Sequence, residues 1–374
     1  MFSLLNEFFS FPTLRMSEFD DYEDVLEYVP TIQYDIHSQS IQENELTASI
    51  LEYCEQKRNK KFIVSLSGGV DSMVLITILH YFEYEVIAVH INYNNREESK
   101  REQSFVETWC RFNRIPLYVK SIDDLKRSTT NRTDYESITK NIRIDLYKEV
   151  MEKENVDCVL LAHHKDDIVE NIFANVCRGR NLLDLAVIKK DSVIHNIHFG
   201  RPMNDFYKDT IYEFAHMYQV PYFKDTTPTW SVRGKYRNVI YPKIEDAFTP
   251  HVKENLIGLR NQSNEWNELV EMAIIAPFMN SVEIEDRGIN TINTISTVTF
   301  HIDKVIDYPA CFWNVVFMKL FNQFGRKCPS KKSIQSFMTS MKTKNEYTKE
   351  THNITLTNQC KCTLKNRKIR IQFL

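Results

Sequence analysis

Phe62-Ile63-Val64-Ser65-Leu66-Ser67-Gly68-Gly69-Val70-Asp71-Ser72 is the stretch on which the fold turns. Its first five residues make a short apolar run, the pattern of a strand buried on both faces of a parallel sheet. Two adjacent glycines follow, and glycine is scarce, with 8 in 374 residues. Such a pair lets the backbone turn sharply and approach a ligand closely. Beyond it, Val74, Leu75, Ile78 and Leu79 recur at helical spacing and predict a helix over residues 71–82. Val86-Ile87-Ala88-Val89-His90 reads as a second strand, closing a β-α-β unit of about thirty residues. Apolar runs at 117–119 and 158–162, the latter preceded by a helical stretch over 135–153, continue the alternation. The expectation is an α/β domain, a doubly wound parallel sheet, over residues 47–248.

Outside that region the rhythm changes. Residues 1–46 are acidic and aromatic and read as an N-terminal extension, and residues 249–300 as a helical connector with Leu256, Leu259 and Leu269 set among charges. Residues 301–374 alternate again at Ile354-Thr355-Leu356 and at Ile369, Ile371 and Phe373, which predicts a small mixed α+β C-terminal domain. The net charge is only −3, but it is polarised: from Lys319 onward thirteen Lys or Arg face two Glu, a net of +11, leaving −14 for the 318 residues before. A basic end of this kind suits a polyanion, although a merely solvated basic surface has the same composition. Lys327, Lys331, Lys332, Lys342 and Lys344, with Phe324 and Phe337 nearby, are the candidate contacts to a nucleic-acid backbone. Eight scattered cysteines without a C-x-x-C pair read as reduced thiols. There is no run of roughly 18 apolar residues and no signal-peptide pattern, so the expectation is a cytoplasmic protein with no membrane partner.

The loop carries the first chemical signal. Glycines at 68 and 69 allow successive N–H groups to converge, Ser67 and Ser72 add hydroxyls, and the next helix turns its positive end to the same spot: an anion cradle. The lysine-bearing pattern of phosphoryl-transfer loops is missing, and Asp71 stands where a base would help. A carboxylate beside phosphate oxygens is repelled unless a divalent cation lies between them, so the motif predicts Mg²⁺ as well as a nucleotide. Its bland alternative is a tight turn with accidental serines. The second signal is His163-His164-Lys165-Asp166-Asp167-Ile168-Val169-Glu170, directly after a strand. On a helix Asp166, Asp167 and Glu170 crowd one turn. The helix N-terminus offsets part of their repulsion, and a cation or a substrate ammonium would offset the rest, unless this is simply an acidic first turn stabilising its helix. In a doubly wound sheet both signals fall at the carboxyl ends of strands and so at one crevice.

The loop resembles the PP-loop of ATP pyrophosphatases, the adenine nucleotide alpha hydrolase-like group, which release pyrophosphate and leave AMP on a substrate. The order of segments is similar to that of the tRNA(Ile)-lysidine synthetases: the S-G-G-x-D-S loop; His90-Ile91-Asn92 with Arg96; Glu136 to Arg143; the segment from His163 to Glu170; Arg178-Gly179; Arg201-Pro202; then Asp225, Arg233 and Tyr236-Arg237-Asn238 before Pro242. Tyr93, Ala162, Ile168 and Pro228 depart from the usual pattern. The resemblance implies ATP and Mg²⁺ as cofactors, a tRNA and free lysine as partners, and a two-step ligation. First a wobble-cytidine oxygen takes AMP from ATP; then the lysine amine displaces it. On this resemblance residues 67–72, including Val70, and His90 bind the nucleotide, and Asp71, Asp166 and Asp167 hold the metal. The same three acids and Glu170 serve catalysis, with Asp167 or Glu170 on the lysine ammonium. Arg143, His163, His164, Arg178, Arg237, Lys327, Lys331 and Lys332 bind substrate. Two alternatives stay open: a tRNA thiolase with the same loop, which usually needs paired cysteines, and a tRNA-binding relative without turnover.

Overall fold

The computed structural model describes residues 38–57, 60–94, 98–123, 130–185, 187–223, 231–289, 293–343 and 350–373. Residues 1–37, Arg96, Asp225, Pro228 and Lys344 lie outside the described residues. Two compact units are present. One holds the described residues up to Arg178 and those of Ala186–Arg260; the other holds Gly179–Leu185 and the described residues from Asn261 on.

In the first unit, helices α1 (Ser38–Gln42) and α2 (Glu45–Gln56) lead into strand β1 (Lys61–Ser65), followed by α3 (Val70–Tyr81), β2 (Glu85–Asn92), α4 (Glu98–Phe112) and β3 (Leu117–Ser121). Next come α5 (Arg132–Glu154), β4 (Cys158–Leu160), α6 (Lys165–Cys177), β5 (Asp191–Ile194), β6 (Ile197–Gly200) and α7 (Lys208–Met217). The unit closes with α8 (Val232–Lys235), a π-helical segment Tyr236–Ile240, α9 (Tyr241–Ala247) and the start of α10 (Val252–Val270), within which the division between the units falls.

Six strands form one sheet in the order β3-β2-β1-β4-β6-β5. All neighbouring pairs are parallel except β5 with β6. The apolar run at 62–64 is buried on both faces, as expected of a central parallel strand. Phe62 and Val64 enter a core with Leu46, Ile50, Met73, Val74 and Phe214, and Ile63 enters a second with Ile87, Val159, Tyr147 and Val150. Helices therefore cover both faces, the doubly wound arrangement that the alternation predicts.

Three parts of the chain differ from the sequence reading. Ile41 and Leu46, placed in the extension, are fully buried, so the core begins with α1. The β5–β6 hairpin is absent from the apolar rhythm; each strand is four residues long, and His195 and Asn196 turn it with φ of 52° and 65°. Strand β7 (Glu283–Ile289) and all but the last residue of β8 (Asn293–His301) fall within residues 249–300, the stretch read as a helical connector.

The second unit continues from α10 through a further π-helical segment, Glu271–Ile275, and α11 (Ala276–Asn280) to β7 and β8. Helices α12 (Ala310–Gln323) and α13 (Lys331–Thr343) and strands β9 (His352–Ile354), β10 (Cys360–Lys365) and β11 (Lys368–Phe373) complete it. The sheet order β7-β8-β11-β10-β9 is antiparallel throughout. Its core gathers Phe300, Trp313, Phe317, Phe321 and Phe337. Phe337 is fully buried, so it is not displayed beside the lysines, whereas the half-buried Phe324 packs on Phe373 at the edge of the core. Among the described residues no helix is long and apolar enough to cross a membrane.

Candidate active site

Strand order reverses its direction of growth between β1 and β4, which lie side by side. The chains leaving their carboxyl ends diverge there and open a crevice. After β1 the backbone turns at Gly68, whose φ is +88°. The turn is tied by its own hydroxyls. Ser67 N donates to Ser72 Oγ at 3.1 Å, Gly69 N donates to Ser67 Oγ at 3.3 Å, and Ser72 Oγ donates to Gly69 O at 3.0 Å. Phe223 N donates to the Gly68 carbonyl at 2.9 Å, clamping the loop from a neighbouring segment. Gly69 then caps α3, so the loop and the positive helix end coincide. His90, expected at the nucleotide, is 3% exposed with Nδ1 2.8 Å from the Leu66 carbonyl, and it braces the loop from behind.

The second turn leaves β4 and enters α6 with His164 at the N-cap, where His164 N donates to Asp167 Oδ2 at 3.1 Å. The His164 ring, 1% exposed, joins the two turns. Its Nε2 lies 3.7 Å from Asp71 Oδ1 and 3.5 Å from Asp167 Oδ2, and its Nδ1 lies 3.6 Å from Asp166 Oδ2. It is thus a buried hub among three carboxylates.

The charge compensation that the sequence reading left to a cation or a substrate ammonium is largely supplied by the chain itself. Lys208 Nζ is 3.4 Å from Asp71 Oδ2, and the Lys208 N–H donates to Asp166 Oδ2 at 2.8 Å. Lys253 Nζ is 2.5 Å from Asp166 Oδ1 and lies over the Tyr207 and Tyr241 rings. Arg233 pairs with Asp167 and, through Nε at 2.8 Å, with Glu170; Arg237 pairs with Glu170 and lies 3.4 Å from Asp167. Burial works to raise the Asp166 pKa, but His164, Lys253 and the Lys208 N–H outweigh it and hold the carboxyl below its ordinary range. At Glu170 burial wins over Arg237 and the pKa is raised.

Among the described residues no three His, Cys, Asp or Glu side chains form a ready-made metal cage. Asp71 Oδ1, however, is buried with no hydrogen-bond partner. An orphaned carboxylate oxygen in the anion loop fits Mg²⁺ held mainly by phosphate and water oxygens, the usual manner for that ion.

A cavity of about 460 Å³ opens between the turns, lined by Ser67, Gly69, Val70, Asp71 and Ser72, by Arg143 of α5, and by His163, Asp167 and Arg237. A second cavity of about 510 Å³, more apolar, is lined by Phe173, Ile188, Val232, Tyr236, Glu170 and Arg178 and shares His163, Asp167 and Arg233 with the first. The two sequence signals therefore meet at one place. Arg178 faces only the second cavity, and Lys327, Lys331 and Lys332 are exposed residues of the other unit.

Comparison with known proteins gives this geometry a family. Residues 42–244 match the PP-loop domain, an ATP-binding family. The chain belongs to the PP-loop family. Similar proteins include a tRNA(Ile)-lysidine synthase of Enterococcus faecalis, 26% identical over 236 residues, or 62% of this chain and 50% of that protein. A second, of Chlamydia felis, is 28% identical over 229 residues, 61% of this chain and 71% of that one. The chain thus spans about half the length of the first relative. A U34-tRNA thiolase, NcsA of Methanococcus maripaludis, aligns at a TM-score of 0.48 and 20% identity, covering 63% of this chain and 85% of that one.

In this PP-loop protein several site residues escape sequence reasoning. Lys140, Lys208 and Arg201 line the first cavity, and Lys253 reaches Asp166 from α10. Arg233 and Arg201 belong to the family-like segments, but nothing in their spacing shows what they touch. Lys208 and Lys253 give no signal at all, because single lysines far along the chain from Asp71 and Asp166 are brought to those acids only by the fold.

Proposed function

We propose that this chain is an ATP-dependent tRNA-modifying ligase that adenylates a wobble cytidine and joins lysine to it, giving lysidine. One observation carries the reading: the glycine loop after β1 and the acidic turn after β4 border a single cavity, joined by His164. In the first step a lone pair of the pyrimidine oxygen forms a bond to the α-phosphorus. The bond to the bridging oxygen breaks, and pyrophosphate leaves with that electron pair. Loop N–H groups and the α3 terminus hold the leaving group. Mg²⁺ at Asp71, with Asp166 or Asp167 nearby, would neutralise charge on the triphosphate. Arg143 and Lys208 supply fixed positive charge on the cavity wall.

The second cavity suits the acceptor. It is apolar as an aromatic base or an alkyl chain requires, carries Glu170 for an ammonium, and shares His163, Asp167 and Arg233 with the lining of the first cavity. The exposed lysines at 327, 331 and 332 provide the backbone contacts to tRNA. All eight cysteines are free, as suits a reducing cytoplasm. Thiolation is the weaker reading, since Cys360 and Cys362 are buried in the second unit and Cys177 is the lone cysteine lining either cavity among the described residues.

The test is to incubate the protein with ATP, labelled lysine and bulk tRNA. Label in tRNA supports lysidine formation. Pyrophosphate release without label points to another acceptor, and neither product points to a tRNA-binding protein without turnover.

A further inference from the structure

Arg201 follows β6 and is 6% exposed, yet it lies on the wall of the first cavity. Its guanidinium is held on one side by the Lys189 carbonyl at 2.8 Å and by Ser192 Oγ at 3.0 Å, both accepting from the same terminal nitrogen. On the other side Nε lies 3.2 Å from His163 Nδ1 in donor geometry. We infer that Arg201 is a positioning residue that fixes His163 as its neutral Nε2–H tautomer, so that the imidazole presents a hydrogen-bond donor at the wall shared by the two cavities.

The tautomer follows from donor bookkeeping. A guanidinium nitrogen only donates, so the ring nitrogen facing it offers a lone pair, and the one remaining place for the imidazole proton is Nε2. Turning the ring to escape would leave a buried N–H without an acceptor on Arg201. Burial, then the charge of Arg201, pushes the His163 pKa down to about 3, in keeping with a ring that stays neutral. Because the guanidinium is pinned by β5 and the residues before it, it sets the ring and not the reverse.

The use of that donor rests on the adenylation reading above. His163 borders both cavities, so Nε2–H is available to an oxygen that gains or carries negative charge as AMP passes from pyrophosphate to the pyrimidine oxygen. No proton moves. The lone pair of the base oxygen makes the new bond to phosphorus, pyrophosphate takes the electrons of the old one, and His163 keeps its hydrogen throughout. The opposite tautomer would aim a lone pair at those oxygens and repel them.

Nitrogen NMR of the wild-type protein labelled with ¹⁵N-histidine tests the assignment, with the His163 signals identified by their loss in His163→Gln. The expected pattern is an unprotonated Nδ1 and a protonated Nε2 around neutral pH. A protonated Nδ1, or an imidazolium, overturns the proposal on the wild-type spectrum, whatever Arg201→Gln does. In Arg201→Gln the pattern is expected to become a mixture of tautomers. Turnover there should fall about 10- to 100-fold, with the KM for ATP within roughly threefold of wild type. Unchanged tautomer signals in that variant overturn the role of Arg201. If the wild type makes no tRNA-dependent AMP, the adenylation reading fails and the spectrum alone decides the tautomer.

Discussion

Gly68 and Gly69 look equivalent in the sequence and are not equivalent in the fold. Gly68 has φ +88°, and a Cβ there would lie 3.2 Å from Val106 Cγ2; Gly69 has φ −74° and would meet only Ser67 Oγ at an ordinary 3.5 Å. Gly68→Ala is therefore expected to lose about 1–2 kcal/mol in thermal or urea unfolding, and Gly69→Ala well under half of that. Equal losses would show that the left-handed turn is not the constraint. Asp166 ties stability to pH. Its folded pKa is depressed below the ordinary 3.8, so the stability it contributes is present above that value and is lost as pH falls through the lower folded value. The stability gap between wild type and Asp166→Asn should then shrink as pH drops from about 7 to about 3. A gap that widens would contradict the assigned partners. Glu170 works in the opposite sense: its raised pKa favours the fold below the ordinary value of 4.5, a contribution lost as pH rises through the folded value. At this scale the loop and the acids were legible because their chemistry is local. The cations were not, since Lys208 and Lys253 reach Asp71 and Asp166 across long stretches of chain.

Helix α6 and the segment from α8 to α9 meet through two arginines and two acids. Pro242 follows the π-helical segment Tyr236–Ile240, and Tyr241 N donates to the Tyr236 carbonyl five residues back. Proline lacks the N–H that an α-helix would use, and the ladder widens just before it. Arg233 and Arg237 both arrive at the α6 acids from this stretch. A double-mutant cycle of Arg237→Ala and Glu170→Gln should give a coupling of about 0.5–3 kcal/mol in unfolding free energy; additive effects would mean that the pair contributes nothing. β1, α3, β2 and α5 were readable from sequence within a few residues. The β5–β6 hairpin was not. Its strands are short and partly exposed, and Asp191 serves Tyr53 Oη at 2.6 Å and Lys57 at 2.5 Å, interactions that no local pattern announces. Gly200 in β6 belongs to the same arrangement, for a Cβ there would lie 2.3 Å from Tyr53 Oη and 2.8 Å from Leu160 Cδ2.

The charge asymmetry of the whole chain makes a prediction independent of the nucleotide site. Charge reversal at Lys327, Lys331 and Lys332 should weaken tRNA binding and lower the slope of log affinity against log salt by roughly 0.7–0.9 for each phosphate that is no longer neutralised, with ATP affinity unchanged. A slope that does not move would remove these lysines from the interface. The division into an α/β unit and a basic unit with its own aromatic core was partly legible, because the change in charge and period is visible in the sequence; the strands at 283–301 were hidden by a mixed, polar composition. Whether the loop releases pyrophosphate is decided by following the fate of labelled ATP with wild-type protein and tRNA. AMP and pyrophosphate appearing in a tRNA-dependent manner are expected from a loop that grips the leaving pyrophosphate. ADP and phosphate instead would contradict it.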